Sequence, residues 1–318
     1  MTARLVALVV VLFLASLAIG PVIWPWRLGN EVGWAIVLEL RLPRALLGLL
    51  VGLALGLSGA VLQAWLRNPL AEPGVVGVSS CASLAAVCAF YSGLAARLSL
   101  ALPLAGIAGA ALGVALLLRA VRAGTGTVSL LLVGVAINAI AAALIALVLS
   151  LSPNPFAFQE ISLWLAGSVA DRDIDHVMLA VPFVVAGAAL VLGARRWLDA
   201  LALGEETARS LGADTRRLGM RLTIGVGLMV GAATSVAGVV GFVGLVAPHL
   251  IRVRVDFRPG ATLLPSMLVG GALVLAADCL VRLLPTSSEL QIGVVTSLVG
   301  APFLVRVVRR AQGGWLAT

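Results

Sequence analysis

Lysine is absent from this chain of 318 residues, acidic side chains number only 14, and charged residues of both signs make up 11%, against about 25% in an ordinary soluble domain. So little charge excludes a water-soluble globule. Residues 98–118 and 128–152 carry no ionisable side chain, and each run is long enough as a helix to cross about 30 Å of hydrocarbon. Histidine is scarce as well: His176 and His249 have no cysteine or second histidine at metal-ligand spacing. His249 reads as a helix-end residue or interhelical donor ahead of a haem or metal ligand. With no Walker sequence either, the chain is expected to be no enzyme, to hold no cofactor and to leave ATP hydrolysis to a partner. The three cysteines, Cys81, Cys88 and Cys279, lie in apolar stretches and read as buried small hydrophobes. Cys81 and Cys88 stand about two helical turns apart, a poor separation for a disulfide.

What is present is apolar: hydrophobic residues make up 61%, and the net charge of +8 comes from 22 arginines. In a soluble protein that balance would raise nucleic acid as a partner. Here the arginines cluster beside apolar runs, at Arg119 and Arg122, at Arg195 and Arg196, and at Arg216, Arg217 and Arg221, as they do on the cytoplasmic side of membrane proteins. No basic octamer or aromatic platform supports nucleic acid, so no such partner is expected.

Ten spans can be placed, at about 5–24, 44–66, 74–92, 98–118, 128–151, 174–194, 217–238, 240–255, 263–284 and 292–308. They make residues 1–318 a single, all-α, polytopic membrane unit. The first run follows Arg4 and resembles a signal peptide, but it is long enough to span and lacks a clear cleavage site, so it is read as a helix with processing as the alternative. Short joints put both termini on one side. With the N-terminus cytoplasmic, sixteen arginines fall inside and six (Arg27, Arg41, Arg44, Arg97, Arg172, Arg282) outside. Trp24, Trp26, Trp34 and Trp164 then sit near outer boundaries, where an indole reaches the headgroups.

Three joints stand out. The outer segment 151–173 contains Pro153 and Pro155 and then, over 158–169, a run suited to a short helix lying on the outer surface. The inner segment 197–215 reads as one or two short amphipathic helices punctuated by Gly204 and Gly212, with Glu205 and Glu206 exposed. The inner joint 67–74 holds Pro69 and Pro73 and must be irregular. Sliding the chain by 179 residues superposes Gly48, Gly52, Gly59 and Pro69 on Gly227, Gly231, Gly238 and Pro248, which suggests two halves in inverted relation, as transporters often carry. Gly48, Gly52, Gly56 and Gly59 form a thin stripe for close helix approach. Among polar residues in the spans, Ser58, Gln63, Asn138, Ser235, Asp278 and Thr296 are candidates for pore or helix-contact faces, Asn138 near the middle of the fifth span.

Ordered motifs then match a known pattern. Arg41–Leu42–Pro43–Arg44, Ser58–Gly59 with Gln63, Arg67 through Gly74, and Gly77–Val78–Ser79–Ser80 closely resemble the first half of the FecCD family, bacterial permeases that import iron-siderophores, haem and cobalamin. Leu203–Gly204–Glu205–Glu206–Thr207 with Leu211 and Gly212, the run Gly241 through His249, Ala277–Asp278, Arg282, Glu289, Gly293 and Gly300–Ala301–Pro302–Phe303 follow in order. The resemblance covers nearly the whole chain.

It implies the type II ABC importer permease fold in a bacterial inner membrane. Two permease copies would enclose the path, two cytoplasmic ATPase subunits would drive it, and a periplasmic binding protein would deliver the metal chelate. By the same resemblance Arg41, Arg44 and Arg282 face outward and pair with acidic residues of the binding protein. Asn68, Pro69 and Leu70 match an inner gate, with a second constriction at 124–129. Leu203, Gly204, Glu205, Glu206, Leu211 and Gly212 belong to the segment that docks on the ATPase. Departures are Phe257–Arg258 where a histidine–arginine pair is usual, Gln291 where proline is common, and Cys81 in place of glycine. The substrate is expected to be an iron chelate, ferric siderophore or haem, with cobalamin or another chelate as the alternative. An ion-coupled secondary transporter is a further alternative, for which Asp278 and Glu289 are the best coupling acids yet lie toward the outer boundary. A structural or signalling subunit without transport is a third.

Overall fold

The computed structural model describes residues 1–20, 30–94, 97, 98, 100–123, 126–151, 155–284 and 289–315, and among them every regular element is a helix. In chain order these are α1 (Thr2–Ala18), α2 (Asn30–Ala35), a π-helical turn (Ile36–Arg41), α3 (Leu42–Trp65), a 3-10 turn (Pro73–Val76), α4 (Val78–Tyr91), α5 (Ala101–Arg122), α6 (Thr127–Ser150) and α7 (Pro155–Leu165). Then come α8 (Ile174–Leu192), α9 (Arg195–Ala202), α10 (Glu205–Ser210), α11 (Thr215–Ala237), α12 (Val243–Arg252), α13 (Pro259–Leu283) and α14 (Ile292–Trp315). Trp24, Trp26, Arg27, Pro153 and the start of the joint 124–129 lie outside the described residues.

Each expected span contains a helix, but not each helix spans by itself. Among the described residues six are long and apolar enough to cross a membrane, while Thr2–Ala18, Val78–Tyr91 and Ile292–Arg306 are shorter apolar helices. The expected span 240–255 is the clearest difference: α12 has 10 residues, about 15 Å of rise. The chain breaks before it, with Gly238 and Phe242 at positive φ of 69° and 66°. Part of the freed backbone is satisfied by the joint after α7, where Ser168 N donates to Ala237 O at 2.8 Å, as irregular backbone inside a membrane protein requires; Gly293 N donates to Gly167 O at 3.3 Å and ties α14 to the same joint. The outer helix α7 runs over Pro155–Leu165 rather than 158–169, and Gly167 at φ 81° turns the chain after it. Cys81 and Cys279 are buried as expected, whereas Cys88 is exposed.

Local chemistry sets the helix starts. Pro43 occupies the first turn of α3, where its missing N–H costs nothing. Asp173 caps α8 by accepting from the amides of Asp175 and His176, and Asp214 caps α11 through Arg217 N.

Helices α3 and α11 are the two centres of the bundle: 78% of the spanning window is buried in each, against 17% in α6. These two are the helices that the 179-residue repeat relates. Close approach makes α3 central. A Cβ on Gly52 would lie 2.4 Å from Gly270 O, and one on Gly56 2.4 Å from Ser266 O, so α3 and α13 cross with their backbones in contact.

Candidate functional site

At the end of the bundle expected to face outward, Arg41 and Arg282 hold the end of α1, and Arg44 lies beside them. Helix α1 ends with free carbonyls, and Arg41 Nη1 donates to Leu17 O at 2.9 Å and Ala18 O at 2.8 Å. Arg282 Nη1 donates to Ser16 O and Ile19 O, both at 2.8 Å. One turn before Arg282, Asp278 pairs with it and also accepts from Arg44 Nε at 2.8 Å. Arg44 continues to Glu289, holding both its carboxylate oxygens. Asp278 has 1% side-chain exposure, Arg282 5%, Arg44 13% and Glu289 39%. Arg41 and Arg282, read from the sequence as outward docking groups, are thus buried and committed to internal partners; the cluster shows solvent Glu289 and the edge of Arg44. Asp278, the acid offered by a coupling-ion reading, is neutralised by two guanidiniums.

A cavity of about 430 Å³ opens beside this cluster, lined by Arg41, Arg44, Arg282, Arg172 and the acids Glu39, Asp171 and Asp173. At its edge Asp173 Oδ1 lies 2.6 Å from His176 Nδ1. That hydrogen bond, with the cap amides, holds the Asp173 carboxyl below its usual range.

At the opposite end the joint 67–74 is folded on itself. Asn68 Oδ1 accepts from Leu70 N at 2.9 Å, an Asx turn, and Asn68 O accepts from Ala71 N at 3.1 Å. Arg67 sits at φ 48°, Pro69 and Leu70 are exposed, and Pro73 rests on Gly244 at the start of α12. Glu72 is half-buried behind them, and that burial pushes its carboxyl up, although the backbone of Phe242 hydrogen-bonds to it.

Gln63 ties α3 to the same helix. Its Nε2 reaches Gly244 O and Leu245 O at 3.4 Å, and its Oε1 accepts from Arg252. Asn138 Oδ1 accepts from Ser80 Oγ, linking α6 to α4.

The inner segment forms two short helices at a right place to move with the bundle. Leu198 and Leu201 of α9 are buried, and Asp199 Oδ1 accepts from Gly260 N at 2.7 Å, which fixes α9 to the first turn of α13. Gly204 and Gly212, at φ 119° and 90°, adopt a backbone that L side chains rarely take and so bracket α10. On α10 Glu205 pairs with Arg209 at 2.7 Å, Ala208 is buried, and Leu203 and Leu211 are 69% and 59% exposed. Apolar side chains left bare beside Glu206 make a surface suited to a protein contact.

Sequence reasoning missed the internal pairing of Arg44 with Asp278 and Glu289 and the tie between Arg252 and Gln63. It also missed the pair of Asp278 with Arg282, for which the i,i+4 spacing was a usable signal. No metal-holding group of His, Cys, Asp or Glu occurs among the described residues.

The FecCD transport family matches residues 8–310. Among curated relatives, the hemin transport system permease protein HmuU of Yersinia pestis is 36% identical over 97% of this chain and 95% of its own. The vitamin B12 import system permease protein BtuC of Vibrio cholerae is 39% identical over 90% of this chain and 86% of its own. Among solved structures, a transporter assigned to the metal-chelate type of ABC transporter, in an inward-facing conformation, superposes with a TM-score of 0.87 at 29% identity, covering 97% of this chain and 98% of that one.

Proposed function

Because the chain belongs to the FecCD transport family, we propose that it is the membrane permease subunit of an ABC importer for a metal chelate, driven by ATPase subunits on separate chains. The observation that carries this reading is the end-to-end likeness to a metal-chelate-type transporter. The sequence alone ranks an iron chelate first, with ferric siderophore at its head. The named relatives move hemin and vitamin B12 forward, so haem or cobalamin is the substrate proposed here.

The whole chain acts as one transmembrane unit of ten spans with both termini cytoplasmic in an inner membrane, a reading supported by a helix at each expected span and by the arginine partition. A second copy completes the path, and a periplasmic binding protein docks at the outer end. The support for docking through Arg41, Arg44 and Arg282 is their shared cluster beside an open cavity. Arg44 is the reachable member, while the buried Arg41 and Arg282 fix its frame. Asn68, Pro69 and Leu70 form the inner gate, supported by the compact turn at the end of the central helix. Gln63 and Asn138 act as helix contacts, Gln63 also lining an inner cavity.

Leu203, Gly204, Glu205, Glu206, Leu211 and Gly212 form the ATPase contact. Leu211→Asp places a charge at the centre of that contact, where desolvation is costly, and is expected to abolish ATPase co-purification while the permease stays folded; normal assembly with normal uptake would sink the assignment.

The test of the function is uptake by the reconstituted complex in liposomes, offering haem, cobalamin and a ferric siderophore in parallel. ATP-dependent uptake of haem or cobalamin is expected. Uptake driven by an ion gradient without ATP would establish the secondary-transporter reading instead.

A further inference from the structure

A second feature of the end that carries the proposed gate is distinct from the ATPase contact and shares only Pro69 with that gate. Between α3, α12 and the start of α13 is a cavity of about 230 Å³, against about 30 Å³ for a water molecule in the liquid. Arg67 and Arg252 both line it, with Gln63 and Thr262 as the neutral polar groups and Pro69 and Phe257 on its walls. Among the described residues no acidic one lines it. Arg252 is half-buried and spends one N–H on the neutral Gln63 amide, and neither arginine has a carboxylate partner among the described residues. Two guanidiniums facing one cavity repel each other, and an oxyanion between them would turn that repulsion into charge-assisted hydrogen bonds.

The rim says what carries the oxyanion. Phe257, on the cavity wall, is 65% exposed, and Val253, next to Arg252 in the chain, is 68% exposed, so apolar surface borders the cationic pocket at the ends of the membrane helices. A free anion has no use for such a surface; a lipid with its phosphate in the pocket lays acyl chains along it. We propose that this cavity is a headgroup site for the phosphate of an anionic phospholipid of the inner leaflet, in keeping with basic pockets between helix ends elsewhere.

The test uses the purified full-length permease, delipidated in detergent and titrated with phosphatidylglycerol or phosphatidylcholine of identical acyl chains. Bound lipid is counted by native mass spectrometry, with sodium phosphate at constant ionic strength as the soluble arm. Phosphatidylglycerol is expected to bind about tenfold tighter than phosphatidylcholine, and removal of one guanidinium in Arg67→Gln to lower that preference about fivefold. Arg67 is exposed, so this variant stays folded even where Arg252→Gln does not. Arg254→Gln, on an exposed side chain outside the cavity, is expected to leave the preference intact. The inference is overturned by an unchanged preference in Arg67→Gln, by an equal loss in Arg254→Gln, which would mean general basic charge, or by sodium phosphate displacing the lipid at equal concentration, which would make the source soluble.

Discussion

At Asp278 one carboxylate with 1% side-chain exposure serves two guanidiniums, so neutralising it strands both Arg44 and Arg282. Removing one member of a buried ion pair costs about 3–5 kcal/mol, because the remaining charge is left without compensation. Asp278→Asn is therefore expected to lower thermal stability in detergent sharply, and Asp278→Asn/Arg282→Gln to cost less than the two single changes summed. Strict additivity would mean that the pair is not coupled. Asp173 gives a milder case with a defined pH sign. Its carboxyl is depressed first by the His176 side chain and then by the cap amides. The stabilisation is therefore present above the ordinary carboxylate value, about 3.9, and is lost as pH falls through the lower folded value. Asp173→Ala is expected to cost about 1 kcal/mol near neutrality as a lost cap and to flatten the acid limb of the melting curve; an acid limb identical to wild type would refute the cap's role. At this scale the sequence told positions better than partners. Arg44 and Asp278 stand 234 residues apart, a separation with no local signature; the Asp173 cap was not read either, although an aspartate at the start of a span is a usable signal.

Helix crossings depend on which glycines in the α3 stripe touch backbone. A Cβ on Gly52 would meet Gly270 O at 2.4 Å and Gly271 Cα at 2.7 Å, while one on Gly48 would meet side chains alone, Leu275 Cδ2 at 3.7 Å and Val274 Cγ1 at 3.9 Å, both ordinary contacts. Gly48→Ala is thus expected to leave stability unchanged or slightly raised, through the lower chain entropy of alanine. Gly52→Ala must push two backbones apart and is expected to lose about 1–3 kcal/mol, in the range of overpacking. Detergent melting of the two variants side by side checks this; equal effects would mean that the stripe does not set the crossing. Periodicity and length made the long helices legible, and glycine punctuation made α9 and α10 legible as a pair. The short α12 was not, because the apolar run 240–255 reads continuously while its helix begins only after Phe242 enters the left-handed region. Beside that break Ala237 O is taken by Ser168 N, a partner that no window along the chain contains.

Charge and exposure together bear on the orientation proposed for the whole molecule. Of the six arginines that a cytoplasmic N-terminus places outside, Arg41, Arg44, Arg172 and Arg282 bond into the protein, Arg172 through Nε to Val236 O at 2.9 Å. They are therefore poor markers of sidedness, since the bias that sets topology concerns charges at the membrane surface. At the other end Arg119, Arg122, Arg195, Arg196, Arg216 and Arg217 are exposed, so counting only exposed arginines sharpens the partition in the same direction. This also decides where a topology probe belongs. Positions 41 and 282, natural choices from the sequence, are buried and would stay unlabelled from either side. Asp175 and Glu206 are exposed at opposite ends. Each is to be replaced singly by cysteine in a background lacking Cys81, Cys88 and Cys279, and treated with a membrane-impermeant maleimide in intact spheroplasts. Position 175 is expected to label at once and position 206 only after permeabilisation. The reverse result would put α9 and α10 outside, beyond reach of any cytoplasmic ATPase, and with them would fall both the ten-span topology and the assigned transmission surface.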